Sequence, residues 1–465
     1  MEKIECDLAV LGSGPAGQKA AIQGAKLGKS VVLIEKDEHV GGACLNSGTI
    51  PSKSLREAIL DFTNFYESNY YGKDFETPDV SINDLNYRLN KVLEEQRSMI
   101  LRQLKNNEIS LLRGAGEFKD PHVIVVKDDT GNALYEVHAE IIILAAGSKP
   151  RNPTDVPFDD QVILDSTRLL SIDKVPKTLM VLGGGIVGSE YASFFAALGA
   201  KVTVVDKKDH LLALLDAEIG MHLQASLTTL GLDVKGGAKP VKIEKVKNKA
   251  RVTLDDGEVL EADTLLYALG RIANIDLLNL GVTGLKVNEW GFIDVNPLYQ
   301  TKVHHIYAVG DLIGSPALAS TSMEQGRLAV RHAFGVKTCS LIDKFPIGIW
   351  TIPEISTCGY TEDQLKEKGF QYEVGRAYYY EMAKNHLAGN QTGLFKILFH
   401  PETMEILGIH IIGRGACEVI HIGMIAMDFN AHLDYFVDTV FNYPTYAEGY
   451  RIAALNGINK VKHFI

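Results

Sequence analysis

The stretch GGACLNSGTIPSKSL, residues 41–55, has the look of a redox-active cysteine loop in which Thr49 stands where a second cysteine would be. A thiol becomes a thiolate at accessible pH and attacks disulfides, whereas a threonine hydroxyl does not ionise there. Cys44 with Thr49 therefore forms no internal disulfide. The chain has five cysteines, Cys6, Cys44, Cys339, Cys358 and Cys417, widely spaced and never in a C-x-x-C pair. That pattern fits neither a disulfide scaffold nor a structural zinc centre. His410 and His421 lie in apolar runs and read as satisfied core histidines; with no carboxylate–histidine spacing, no metal site is predicted.

The second chemistry is phosphate binding, and its signature occurs twice. DLAVLGSGPAG runs an apolar strand into Gly12, Gly14 and Gly17, followed by a helical pattern and the strand SVVLIEK, which ends at Glu35. TLMVLGGGIVGSEY repeats this with Gly183, Gly185 and Gly188, and its next strand ends at Asp206. In both copies the acid follows the first glycine by 23 positions. A lone G-x-G-x-x-G is weak, but strand, helix and acid at this distance make it a dinucleotide fingerprint. The first glycine makes the turn, the second admits a pyrophosphate to the backbone, and the third lets helix and strand pack closely. The helix N-terminus faces the anion, and the acid accepts from a ribose hydroxyl.

The elements around these loops predict an α/β protein with two Rossmann-like units. EIIILAAGSKP, through Gly147, closes the first, and DTLLYALGRIAN, through Gly270, closes the second. An insertion at 82–107 spaces Ile82, Leu85, Leu89, Val92, Leu93, Ile100 and Leu104 as an amphipathic helix, read as core or subunit contact. TKVHHIYAVGDLIGSPALAS returns to the first fold through Asp311. Beyond about residue 346 neither fingerprint recurs, and mixed strand and helix patterns indicate an α+β domain. The expected domains are 1–150 and 274–345 for the first fold, 151–273 for the second and 346–465 for the third.

Composition bounds the partners. At 465 residues, 46% hydrophobic and 23% charged, the chain has the length for about three domains. A formal charge of −11 argues against nucleic acid, which needs a basic face. The N-terminus has no basic region with a cleavable apolar run, and no stretch approaches the roughly 18 apolar residues of a membrane span. A soluble, cytoplasmic protein with no membrane partner is expected.

These motifs resemble those of the flavoprotein reductases with two dinucleotide-binding domains, which include lipoamide dehydrogenase and glutathione reductase, and the likeness covers essentially the whole chain. It implies FAD in the first fold, a nicotinamide dinucleotide in the second and a C-terminal domain that makes a homodimer or larger homo-oligomer. Carried over by motif, FAD contacts fall on Gly12, Gly14, Gly17, Glu35, Lys36, Gly41, Gly42, Cys44, Lys53, Gly147, Asp311 and the ALAS stretch with Ala317, Leu318 and Ala319. The nicotinamide nucleotide falls on Gly183, Gly185, Gly188, Glu190, Asp206 and Gly270. Lys53 and Glu190 match a pair that meets near flavin N5, and they are the implied catalytic residues.

The chain departs from the disulfide-reducing members twice. Thr49 replaces the second cysteine, and FNYPTYAEGYR puts Tyr443 where a catalytic histidine belongs while keeping Glu448. Both changes remove the thiol half-reaction. With GTIPSK, IPEIS, YEVGRA and the FNYPT terminus, the chain is similar to the soluble (Si-specific) pyridine nucleotide transhydrogenase branch. The implied reaction is hydride transfer from NADPH to NAD+ through FAD, by a ping-pong mechanism. An NADH-dependent diaphorase or oxidase and a non-enzymatic nucleotide-redox sensor stand as alternatives. Cys44 reads either as a solitary redox thiol or as a small apolar residue beside FAD, and Tyr443 either as a flavin cover or as interface packing. Asp206 suits the 2′-hydroxyl of NAD and repels the 2′-phosphate of NADP, a cost that Lys207 or Lys208 would offset.

Overall fold

Strands covered on both faces read as unbroken apolar runs, and the two fingerprint strands are of that kind. In the computed structural model, which describes residues 1–63, 82–339, 344–389 and 392–461, Leu8–Leu11 lies parallel between Val31–Ile34 and Ile141–Leu144. By its contacts the described chain forms two units. One comprises the described residues within 1–54, 86–151 and 270–342, the other those within 55–85, 152–269 and 343–465.

The first unit is built on one sheet in the order Ser110–Arg113, Val31–Glu35, Glu2–Leu11, Ala133–Leu144, Val123–Lys127, Ala115–Asp120. The late strand Ile306–Ala308 pairs parallel with Ala133–Leu144. Leu8, Val10, Leu33, Ile143 and Val309 are fully buried beneath the helices. Helices Pro15–Lys26 and Ala319–Ala333 cross where a Cβ on Gly326 would stand 2.2 Å from the Ala16 carbonyl oxygen, so only glycine allows the approach. The predicted amphipathic insertion is a helix over Ile82–Asn106; Leu89, Leu93, Ile100 and Leu104 bury in this core, while Val92 is only half-buried.

The second unit repeats the plan. Asp233–Lys235, Lys201–Val205, Thr178–Leu182, Thr264–Tyr267 and Ile163–Asp165 form an all-parallel sheet, flanked by a three-stranded antiparallel sheet over residues 240–262. The same unit holds a five-stranded antiparallel sheet, Ile347–Ile349, Ile355–Gly359, Ile406–Ile412, Leu394–Phe399, Glu373–Tyr378, packed by helices Ala416–Asp428 and Glu448–Val461. The sequence segments 151–273 and 346–465 therefore both contribute to this unit.

Three side chains of the C-terminal region are placed by packing. His410 is buried, with Nδ1 paired to Thr357 Oγ1 and Nε2 to the Tyr360 carbonyl at 2.9 Å, as a satisfied core residue. His421 is not: its apolar run is a helix, and the histidine falls on the exposed face, which corrects the core assignment. In the fully buried strand LFKILF, Lys396 places its ammonium 2.7 Å from Asp216 and 2.9 Å from Glu218, with Glu362 completing the set at 2.5 Å. Among the described residues no helix is long and apolar enough to cross a membrane.

Candidate cofactor and nucleotide sites

Each glycine loop is shaped by contacts that only glycine permits. A Cβ on Gly17 would stand 1.8 Å from the Gly12 carbonyl oxygen, and one on Gly188 would stand 1.8 Å from that of Gly183. Gly12 and Gly183 turn at φ +104° and +109°. The middle glycines differ in kind: Gly14 and Gly185 are the N-caps of their helices, neither has a side-chain cap, and a Cβ there would meet nothing of the chain closer than 3.9 Å. Space and uncapped N–H groups at a helix start are what an anionic phosphate requires.

The acids organise these loops directly. Glu35 Oε2 accepts from Ser13 N at 2.8 Å and from Ser13 Oγ at 2.5 Å, while Oε1 accepts from Asp37 N at 2.9 Å. Asp206 repeats the arrangement: Oδ2 accepts from Gly184 N at 2.5 Å and Oδ1 from Lys208 N at 2.7 Å. Both carboxylates thus hold the backbone beside the first glycine as well as standing at the strand end where a ribose would lie. Lys36 is exposed and pairs with Asp37 at 3.2 Å. Lys207 and Lys208 are exposed.

The cysteine loop grows from the first of these sites. Ser13 Oγ accepts from Gly41 N at 3.0 Å, and Gly41 and Gly42 adopt φ +113° and +57° to open the short helix Gly42–Asn46. A Cβ on Gly42 would lie 2.8 Å from Gly14 Cα, so two bare backbones face each other and leave a cradle for a group held by main-chain N–H. Cys44 is partly exposed, and Thr49 stands at the start of helix Thr49–Thr63. Burial pushes the Cys44 thiol up; Thr49 and the Lys53 charge pull it back, and Asp311 adds to the rise. The net effect disfavours a thiolate, the reverse of an activated nucleophile. All five cysteines are free thiols. Lys53 is half-buried, its ammonium 3.4 Å from Ser52 Oγ.

Asp311, on the turn Gly310–Ile313, completes the first site: its Oδ2 accepts from Ser148 Oγ, and Gly310 N donates to Gln325 Oε1 at 2.8 Å. Gly147 at φ +70° precedes Ser148, and Ala317, Leu318 and Ala319 lead into helix Ala319–Ala333. Gly12, Gly14, Gly17, Glu35, Gly41, Gly42, Cys44, Lys53, Gly147 and Asp311 thus all belong to one unit, and these donors and bare backbones fit a phosphate-bearing dinucleotide. Gly270, at φ +103°, belongs to that unit too, unlike the rest of the nicotinamide set. In the other unit, Glu190 is buried on helix Ile186–Ala197 and its Oε1 accepts from Trp350 N at 2.9 Å, beside Gly183, Gly185 and Gly188 in sequence.

Sequence reasoning missed Ser13, Ser148, Gln325, Arg271 and Trp350. Ser13 had a legible signal, since it lies between the first two fingerprint glycines. The others act through bonds between residues far apart in sequence, and nothing local marks them.

On the C-terminal side, Tyr443 is 71% exposed and Glu448 starts helix Glu448–Val461 with Oε2 buried and unbonded, its carboxyl pushed up by burial. Tyr443 thus stands outside any buried dyad with Glu448 in this chain.

A family model described as pyridine nucleotide-disulphide oxidoreductase matches residues 6–326, and its dimerisation domain matches 345–454. A soluble pyridine nucleotide transhydrogenase of Mycobacterium tuberculosis is 44% identical over 459 residues, 98% of each chain; that of Photorhabdus laumondii is 42% identical over 467 residues, 99% of this chain and all of the relative. Among solved structures, LpdA from Mycobacterium tuberculosis superposes with a TM-score of 0.90 at 25% identity, covering 98% of this chain and 99% of that one. The HOCl-induced flavoprotein disulfide reductase RclA from Escherichia coli gives 0.86 at 26% identity, covering 97% and 99%. With both halves of its length matched, the chain belongs to the pyridine nucleotide-disulphide oxidoreductase family.

Proposed function

We propose that this chain is an NAD(P)+ transhydrogenase that moves hydride from NADPH to NAD+ by a ping-pong mechanism, without a redox-active disulfide. Residues 1–150 and 274–345 hold FAD, 151–273 take the nicotinamide nucleotides, and 346–465 form the homodimer interface. FAD, when bound, supplies the two-electron acceptor and donor that the reaction needs. The chain's own part is binding and alignment. Gly14 and Gly42 clear the pyrophosphate approach, Glu35 and Asp206 hold their loops and face the riboses, and Lys53 brings positive charge beside the site. Glu190, fixed by the Trp350 N–H, is the second residue assigned to catalysis.

The observation that carries the proposal is Cys44 with Thr49. The loop is retained, yet its thiol is raised by burial and its neighbour is a hydroxyl, so electrons have no sulfur exit. A second nicotinamide nucleotide is the remaining acceptor, and the full-length relatives named as transhydrogenases support it. Free thiols throughout suit the cytoplasm. Anaerobic mixing with NADPH bleaches the flavin absorbance, NAD+ restores it, and initial rates at varied nucleotide give parallel double-reciprocal lines. Reduction of lipoamide or glutathione disulfide at comparable rates overturns the reading.

Asp206 favours a second reading. A carboxylate fixed by two backbone N–H groups suits the NAD ribose and opposes a 2′-phosphate. If NADP(H) does not bind, the chain is an NADH-dependent diaphorase.

A further inference from the structure

The two segments that link the folds form an antiparallel ribbon, Ser148–Pro150 against Arg271–Ala273, with Arg271 opposite Pro150 and Ala273 opposite Ser148. Arg151 N donates to the Gly270 carbonyl at 3.1 Å and Asn274 N to that of Gly147 at 2.9 Å, so the ribbon is tied at both ends. Across it, Arg271 Nε donates to Ser148 Oγ and Nη2 donates to the Ser148 carbonyl, both at 2.8 Å. Ser148 is buried, and its hydroxyl reaches Asp311 Oδ2.

The donor inventory fixes the direction of this chain. A guanidinium only donates and a serine hydroxyl has one proton, so with Arg271 on its oxygen Ser148 sends that proton to Asp311. Asp311 Oδ2 is thereby taken, while Oδ1 accepts no hydrogen bond among the described residues. A Cβ on Gly310, next to Asp311, would lie 3.4 Å from Ala16 Cβ at the start of helix Pro15–Lys26, which places this turn at the first glycine site.

We propose that Ser148 and Arg271 are positioning residues for the cofactor: they clamp one oxygen of Asp311 so that the other is presented to a hydroxyl or N–H donor of the bound flavin nucleotide. The proposal rests on the reading that this site holds FAD. The ribbon at which the chain leaves and re-enters the first unit thus also sets how firmly that unit holds its cofactor.

The test follows FAD release from the holoprotein by the fluorescence of the freed nucleotide, with the visible flavin spectrum recorded before dilution. Ser148→Ala and Arg271→Met each speed release about tenfold, the effect of losing a hydrogen bond to a charged group. Ser148→Thr, which keeps the hydroxyl, stays within about twofold of wild type. Because the two residues act in series, the double variant is no worse than either single one, well short of the product expected for independent sites. If Ser148→Ala does not yield folded holoprotein, Arg271→Lys decides: one donating nitrogen in place of the fork's two gives release faster than wild type with the flavin spectrum shifted. Wild-type release and spectrum in the variants, or multiplicative effects in the double variant, overturn the relay. A wild-type protein that never carries FAD overturns the parent reading instead.

Discussion

The two glycine loops solve the same problem with different chemistry at two positions. In the first, serine stands between the leading glycines and the acid is a glutamate; in the second, glycine stands there and the acid is an aspartate. Backbone N–H groups bind both carboxylates at equivalent places, but only the first loop adds a side-chain bond, Ser13 Oγ to Glu35. Through Gly41 N that serine also anchors the cysteine loop, for which the second fold has no counterpart. A Cβ on Gly184 would lie 3.0 Å from Leu211 Cδ2 and 3.4 Å from Asp206, so the shorter acid and the missing side chain go together. The first loop is thus more tightly cross-linked than the second.

The third glycines allow the hardest blow to this comparison. Gly17→Ala and Gly188→Ala each drive a methyl group into a carbonyl oxygen, and each costs about 3 kcal/mol or more of stability, read as loss of soluble folded protein. Equivalence of the loops predicts equal damage; a variant that melts like wild type breaks it. The middle glycines separate the loops instead. Gly14→Ala lowers FAD occupancy at least tenfold, whereas Gly185→Ala leaves FAD in place and raises the nicotinamide nucleotide Kd by about the same factor, since each methyl enters ligand space rather than the chain. Absorbance ratios and nucleotide titration read both.

The acids give a subtler contrast. Both oxygens of Asp206 accept from N–H groups, so in Asp206→Asn one contact turns into donor facing donor. NAD(H) then binds about tenfold more weakly, while the removed charge spares NADP(H); the preference shifts toward NADP(H) by about that factor. Parallel titrations that leave the ratio unchanged remove Asp206 from specificity. The smallest effect lies in the loop that only the first fold possesses. Burial raises the Cys44 thiol above its ordinary range, so its thiolate population, and with it alkylation, grows only as pH climbs past that range. At pH 7, iodoacetamide modifies exposed Cys339 before Cys44, and Cys44→Ser changes hydride transfer less than twofold. Rapid labelling of Cys44 at neutral pH points to an activated thiol and gives the loop a chemical role.

What the sequence disclosed was what chain-local spacing encodes. The glycines, the acid 23 residues on and the apolar strands were all legible, because turn geometry and strand burial are dictated by neighbours in the chain. Even the missing thiol was visible as Thr49. The links from Arg271 through Ser148 to Asp311 were not, since Ser148 lies 123 positions from Arg271 and 163 from Asp311 and meets them only after two strands pair. Lys396 gave half a signal: a lysine in an otherwise apolar strand must find counter-charges, but Asp216, Glu218 and Glu362 lie on other elements. His421 misled because its run was read as helical but apolar nearly all round, so composition did not say which face the histidine takes until packing buried the other one.

The strand order carries a consequence for biosynthesis. In the second fold the edge strand Ile163–Asp165 precedes its neighbour Thr264–Tyr267, so the whole parallel sheet has been translated by residue 267. In the first, Ala133–Leu144 waits for Ile306–Ala308, which leaves the ribosome about 160 residues later, on the order of 10–30 s at ordinary elongation rates. The inserted fold therefore completes its sheet while its host still shows an open, apolar edge at Ile142–Leu144, the kind of edge that nascent chains must keep from pairing with strangers. The N-terminal domain, first to be made, is among the last to be finished.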